Sequence, residues 1–275
     1  MKYLVAFLLA AFLLAGPLGA SDPSPLRTLM TGDDSKGWEA VGRLNIGGGS
    51  FCTGSLIDEN LVLTAAHCLY DRDSGERFKL SEIEFLAGWR GGRASAYRGV
   101  RRAVVHPDFE FTPSRGPTRV ANDLALLELD TPIRNMSVKP FKTFSRPRKG
   151  AEVGVVSYAH DRMESPSLQE TCKVLARQSG TLVLSCTVDF GSSGAPVFII
   201  EGGEPRIVSV ISAKAMVRDI PVSLGTDLET PLAEMYEMLA TDNGVFTRVE
   251  TVRPPTVRQF GSGAAGPGGA KFVRP

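Results

Sequence analysis

From about Trp38 onward the chain is cut into short apolar runs separated by turn residues, and this limits what it can fold into more than any other feature. The runs "VGRLNIGG", "SLIDENLVLTAA", "IEFLAG", "YRGVRRAVVH", "LALLEL", "EVGVVSYA", "KVLA", "TLVLSC", "APVFII" and "RIVSVIS" are rich in Val, Ile, Leu and aromatic residues, with Gly, Pro, Asp or Ser between them. Branched and aromatic side chains suit a pleated, half-buried surface, and the punctuation sets in too soon for helices. So many short strands at close spacing require an all-β sandwich or barrel. Helical periodicity appears once, where Leu232, Met235 and Leu239 recur after Pro231, with Thr230 as an N-cap. A short C-terminal helix is expected there.

The two ends read differently. Lys2, an apolar run from Tyr3 to Ala15 and a small-residue end at Gly19-Ala20 have the form of an export signal over 1–20, with cleavage expected after Ala20. No membrane anchor is expected in the mature chain, because the run is short for a bilayer. Residues 21–37 are polar and Pro-containing and read as a flexible leader or pro-segment. Residues 241–275 turn to Gly, Pro, Arg and Thr and read as a disordered tail. Gly261, Gly263 and Gly266 match a dinucleotide fingerprint formally, but Pro267-Gly268-Gly269 denies the helix that such a site needs.

Removing the signal leaves about 255 residues (275 minus 20), enough for one large domain or two small ones. A formal net charge of +1 offers no footprint for nucleic acid. Four cysteines suit an oxidising compartment and fall into two local pairs, Cys52 with Cys68 and Cys172 with Cys186, out of three possible connectivities. Neither pair has ligand-like spacing, so no metal is expected.

Nucleophilic catalysis by serine requires a base, a buried acid that orients it, and donors for an oxyanion. His67 closes the apolar run "LVLTAAH" directly before Cys68. Asp123 opens "DLALLEL", where a strand would carry it inward. Ser193 lies in "GSSGAP", between glycines that let the chain turn sharply and present backbone N–H groups. His106 and His160 lack such settings and are expected to be surface or structural.

"LTAAHC", "NDLALL" and "GSSGAPV" resemble the histidine, aspartate and serine boxes of the chymotrypsin/trypsin-like serine proteases, in that family's chain order. α/β-hydrolases run serine, acid, histidine, and the order here rejects them. The resemblance covers Trp38 to Leu239. It implies two six-stranded antiparallel Greek-key barrels, over 38–135 and 136–240, with the short helix closing the second. It implies a triad of Ser193, His67 and Asp123, and an oxyanion hole from the N–H groups of Gly191 and Ser193. It also implies disulfides Cys52–Cys68 and Cys172–Cys186, protein or peptide substrates, no cofactor and a monomer. The expected function is a secreted or periplasmic serine endopeptidase, the alternative an inactive trypsin-like fold used for binding.

Two departures stand out. Animal digestive members carry an aspartate before the nucleophile, where this chain has Ser192; the short box also resembles bacterial glutamyl-endopeptidase-like members. The specificity pocket, expected from Thr187, Asp189, Ser212, Ala213 and Lys214, lacks an aspartate at Thr187, its expected base.

Overall fold

The computed structural model describes residues 23–111, 117–144 and 147–248. The export signal, the glycine fingerprint and most of the expected tail lie outside them.

Strands are numbered in chain order, beginning with β1 (Arg27–Thr28). The first barrel contains β2 (Val41–Ile46), β3 (Ser50–Asp58), β4 (Leu61–Thr64), β5 (Glu84–Ala87), β6 (Ala96–Val105) and β7 (Ala125–Leu129). It closes because β2 pairs with both β3 and β5, β6 with both β5 and β7, and β4 with both β3 and β7. After β8 (Lys142–Thr143), the second barrel is built from β9 (Glu152–Ala159), β10 (Arg162–Gln178), β11 (Thr181–Leu184), β12 (Pro196–Glu201), β13 (Glu204–Val217) and β14 (Ile220–Asp227). It closes in the order β9, β10, β11, β14, β13, β12 and back to β9. Two six-stranded antiparallel barrels follow, and closure removes most of the open edges that strands would otherwise expose.

Every residue of β4 and β7 is buried, as continuous apolar runs require when both faces are covered. The second barrel has its own core, which includes Val153, Val174, Leu182, Val197 and the Cys172–Cys186 disulfide. Between the barrels Trp38, Phe141 and Phe198 pack together, with Phe198 edge-on to both partners at centroid distances of 5.0 and 4.7 Å. Edge-to-face aromatic pairs add about 0.5–1.5 kcal/mol each beyond the area they bury. This contact fixes the barrels against one another, and the cleft between them inherits that rigidity.

Three expectations need correction. The leader is not loose over its described part: β1 pairs with Leu168 and Ser167 of β10, and Leu29 is fully buried. The few apolar residues of "LRTLM" are too short a run to show a strand period, so sequence pattern could not reveal that Leu29 is a core residue. The fold also continues past Thr241, because β15 (Phe246–Thr247) pairs with β6 and the Arg77 guanidinium lies 4.1 Å from the Phe246 ring centroid. The helix, Glu229–Thr241, begins one residue before Thr230; the Glu229 amide donates to Asp227, and Thr230 caps nothing. Leu232 and Met235 are its buried residues. No helix among the described residues is long and apolar enough to cross a membrane.

Candidate active site

β3 and β4 form a hairpin whose end carries the first functional side chain. After Thr64 the chain enters a short 3-10 turn, Ala66–Leu69, tied to β3 by the Cys52–Cys68 disulfide. Inside that turn His67 is 8% exposed, and its Nδ1 lies 2.6 Å from Asp123 Oδ2. The His67 amide donates to the other carboxylate oxygen at 2.9 Å. Both oxygens of Asp123 thus engage His67, which fixes the ring and leaves Nε2 toward the cleft.

Asp123 precedes β7 and is not itself in a strand; it follows a one-turn helix, Pro117–Ala121. The second barrel holds it in place. Thr226 on β14 donates its hydroxyl to the Val120 carbonyl at 2.6 Å, and the Ser212 hydroxyl on β13 donates to Asp123 Oδ2. Burial at 1% exposure pushes the Asp123 carboxyl up, but the His67 charge, the His67 ring, the Ser212 hydroxyl and the His67 amide together hold it below its ordinary value. The acid therefore stays ionised beside the imidazole.

The serine loop is set by its carbonyls. Phe190 O accepts from the His160 amide at 2.7 Å, and Ser192 O accepts from the Ala195 amide at 3.0 Å. A trans peptide points its C=O and N–H in opposite directions, so both anchors turn the N–H of the following residue outward. Those residues are Gly191 and Ser193. Neither amide has a hydrogen-bond acceptor among the described residues, whereas the amides of Ser192, Gly194 and Ala195 all have one. Glycine is required at two of these positions. Gly191 has φ +96° and a Cβ there would stand 2.4 Å from the Phe51 ring; Gly194 has φ +79° and a Cβ would meet Thr53 O and Thr64 Oγ1 at 2.2 Å.

Ser193 and His67 line one cavity of about 210 Å3, together with Asp123, Val188, Asp189, Phe190, Ser212, Ala213 and Lys214. Among the described residues neither Ser193 Oγ nor His67 Nε2 has a hydrogen-bond partner. Such bonds are often long without substrate and tighten when it binds.

A sequence profile described as Trypsin matches residues 31–213. The chain belongs to the trypsin family. The trypsin of Sarcophaga bullata is 34% identical over 87 residues, 32% of this chain and 30% of its own length. The trypsin of Phaedon cochleariae is 36% identical over 97 residues, 34% of this chain and 33% of its own. The matches thus span about a third of those relatives. A glutamyl endopeptidase of Bacillus licheniformis is 25% identical over 191 residues, covering 69% of this chain and 56% of that protein. The solved structure of a Glu endopeptidase superposes with a TM-score of 0.64 at 18% identity, over 80% of this chain and 98% of that one. An inactivated protease paralogue of the scabies mite superposes with a TM-score of 0.61 at 16% identity, over 82% of this chain and 99% of that one.

Within this trypsin-family fold, the pocket differs from the sequence expectation. Thr187 does not line the cavity: its amide donates to Gln169 Oε1 at 2.7 Å, and Val188 faces the cavity instead. Asp189, Ser212, Ala213 and Lys214 do line the cavity, and Lys214 is paired there, with its Nζ 2.7 Å from Asp189 Oδ1 and 4.7 Å from the Phe190 ring centroid. The hydrogen bond from Lys214, helped by the Phe190 amide, holds the Asp189 carboxyl below its usual range.

At the site of the missing aspartate, Ser192 is fully buried, with its hydroxyl 3.2 Å from both Ser157 Oγ and Tyr158 O. The place of that aspartate is thus taken by a neutral, buried hydroxyl. His106 is buried as well, accepting the Asp108 amide at Nδ1.

Sequence reasoning missed Thr53. Its amide donates to Ser193 O at 2.8 Å, its hydroxyl donates to Gly191 O at 2.9 Å, and the same hydroxyl accepts the Tyr158 amide at 3.1 Å. One β3 residue therefore ties the first barrel to the serine loop and to β9. Its position next to Cys52 was the only available signal, and it says nothing about these partners.

Proposed function

We propose that the protein is an active serine endopeptidase, secreted or periplasmic. Ser193 Oγ attacks the peptide carbonyl while its proton passes to Nε2 of His67. The same proton then moves to the leaving amine, and the acyl group stays on Ser193 as an ester. Water, deprotonated by His67, releases the acid and restores the serine. Asp123 holds the proton of Nδ1 and stabilises the imidazolium, as a buried ionised carboxylate 2.6 Å away is suited to do. The amides of Gly191 and Ser193 receive the oxyanion; donors of this type are worth about 10²–10³ in rate each.

The observation that carries this reading is the orientation of the two peptides at 190–191 and 192–193, which presents two unsatisfied donors beside the nucleophile. A purely binding role on this fold calls for a displaced triad member or a collapsed loop, and that orientation speaks against it. Lys214 and Asp189 neutralise one another at the cavity mouth, so neither is free to select an opposite charge without giving up its partner. Export is supported by the signal-like start and by two disulfides.

The test is labelling with a fluorophosphonate followed by mapping of the adduct. Modification at Ser193, strongly reduced in His67→Ala, supports an active enzyme. A folded protein that takes no label refutes it.

A further inference from the structure

The cleft continues past its cavity along one strand. The last pair between β12 and β13 is Pro196 with Val210, whereas β13 stays paired with β14 as far as Met216 with Pro221 and Val217 with Ile220. From Ser212 to Val217, β13 therefore has one edge with no strand beside it among the described residues. That edge begins at Ser212 and Lys214, which line the cavity. It ends at an apolar tip where Met216, Val217 and Ile220 are 62%, 48% and 61% exposed.

The tip is a continuation of the sheet. Arg218 and Asp219 turn the chain with φ of +49° and +63°, and positive φ at both central residues is what a tight twisted hairpin needs. Alternate residues of a strand share a face, and pairing with β14 is regular from Ala213 to Val217, so Met216 lies on the side of Lys214, while Val217 and Ile220, opposite one another, lie on the other side. An extended chain that adds to this edge meets apolar surface on both faces at once. Folds ordinarily protect a free edge with charge or proline, and between Ala215 and Val217 this one carries neither.

We propose that the tip is a subsite for the substrate polypeptide itself and selects two consecutive apolar residues about five and six positions before the cleaved bond. The count follows from one substrate residue per β13 residue in an antiparallel pair. With the residue before the cleaved bond opposite Ser212, the third is opposite Lys214, the fifth opposite Met216 and the sixth opposite Val217. Substrate is the chosen occupant because the free edge runs without interruption from the cavity to the tip. The proposal rests on the peptidase reading of the cleft.

The test uses peptides built on any sequence the full-length protein cuts. A short form has three residues before the bond; two long forms have six, with Val-Leu or Ser-Ser as the outer pair. The Val-Leu form is expected to gain about tenfold in kcat/KM over the other two, mainly through KM. The M216S/I220S variant loses that gain and cuts the short peptide at the wild-type rate. Equal kcat/KM for the two long forms, or an undiminished gain in the variant, overturns the proposal. Dimerisation that rises with concentration and disappears in M216S/I220S assigns the tip to a second copy and also overturns it. Fluorescence anisotropy with the Ser193→Ala protein, which holds the peptides without cutting them, is expected to show the Val-Leu form bound about tenfold more tightly than the Ser-Ser form; equal binding overturns the proposal. If the short peptide is cut and the outer pair has no effect, only the tip proposal fails.

Discussion

Replacing Thr53 with valine preserves shape and burial and removes one hydroxyl. That hydroxyl donates to Gly191 O and accepts from the Tyr158 amide, so valine strands two backbone groups in the interior. An unsatisfied buried group costs about 1–3 kcal/mol, so the pair predicts a loss of roughly 2–6 kcal/mol. At about 2–4 °C per kcal/mol for a chain of this size, Tm drops by at least about 4 °C. A second effect is local. The Gly191 carbonyl belongs to the peptide between the two proposed oxyanion donors, and releasing it loosens both. Losing one such donor outright costs about 10²–10³ in kcat, so misplacement predicts a fall in kcat of about tenfold or more with KM little changed. Thermal unfolding, and steady-state kinetics at 25 °C, measure the two effects separately, with Thr53→Ser as the control that keeps the hydroxyl. If Thr53→Val matches the wild type in Tm and kcat, the assignment of Thr53 as the tie to the serine loop is wrong.

Other expectations follow from the same contacts. Ser192→Ala removes a buried neutral hydrogen bond, so unfolding should show a loss of about 1 kcal/mol with kcat/KM within about twofold of wild type; collapse of activity would mean that this position assembles the site as an ion pair would. Leu29→Ala should cost about 2–5 kcal/mol, read as a lower denaturant midpoint, because Leu29 is a core residue and not part of a loose leader. Stability should fall in acid. Burial lowers the His106 pKa against the opposing pull of Glu234 and Asp108, so the neutral ring belongs to the fold and its contribution, complete above about pH 6.5, fades below it. Asp123, also lowered, contributes above the ordinary carboxylate range and loses that contribution as pH falls through its lower folded value. Urea midpoints against pH should therefore lose their upper step in His106→Gln and keep the lower one.

Much of the architecture was legible because strand formation is a local signal here. Runs such as "LALLEL" and "TLVLSC" mark strands wherever both faces are covered. The limits of those runs were not legible, for physical reasons. "SLIDENLVLTAA" is two strands folded about Glu59-Asn60, and "KVLA" is a fragment of β10, whose first half includes charged and polar residues that pair with β9. β14 escaped notice because "IPVSLGTD" begins with exposed residues and contains a glycine. At the site, His67, Asp123 and Ser193 stood in boxes distinctive enough to be found by pattern. Their supports, Thr53, Thr226 and the His160 amide, were not visible, because each acts through a contact more than 25 residues away along the chain. The Lys214–Asp189 pair was hidden for the same reason, since its partners are 25 residues apart and only the fold brings them together.

The central claim is that Ser193 carries the acyl group of a cleaved substrate, and trapping that intermediate tests it most directly. The protein is mixed with an activated ester of a short peptide, quenched in acid within the first turnover and analysed by tandem mass spectrometry. The account predicts one acyl group, located on Ser193 and not on Ser192, with accumulation about 10⁴-fold slower in Asp123→Asn, the loss that removal of the orienting acid causes in other triads. An acyl group on a different residue, or turnover of the ester with none on Ser193, would contradict it.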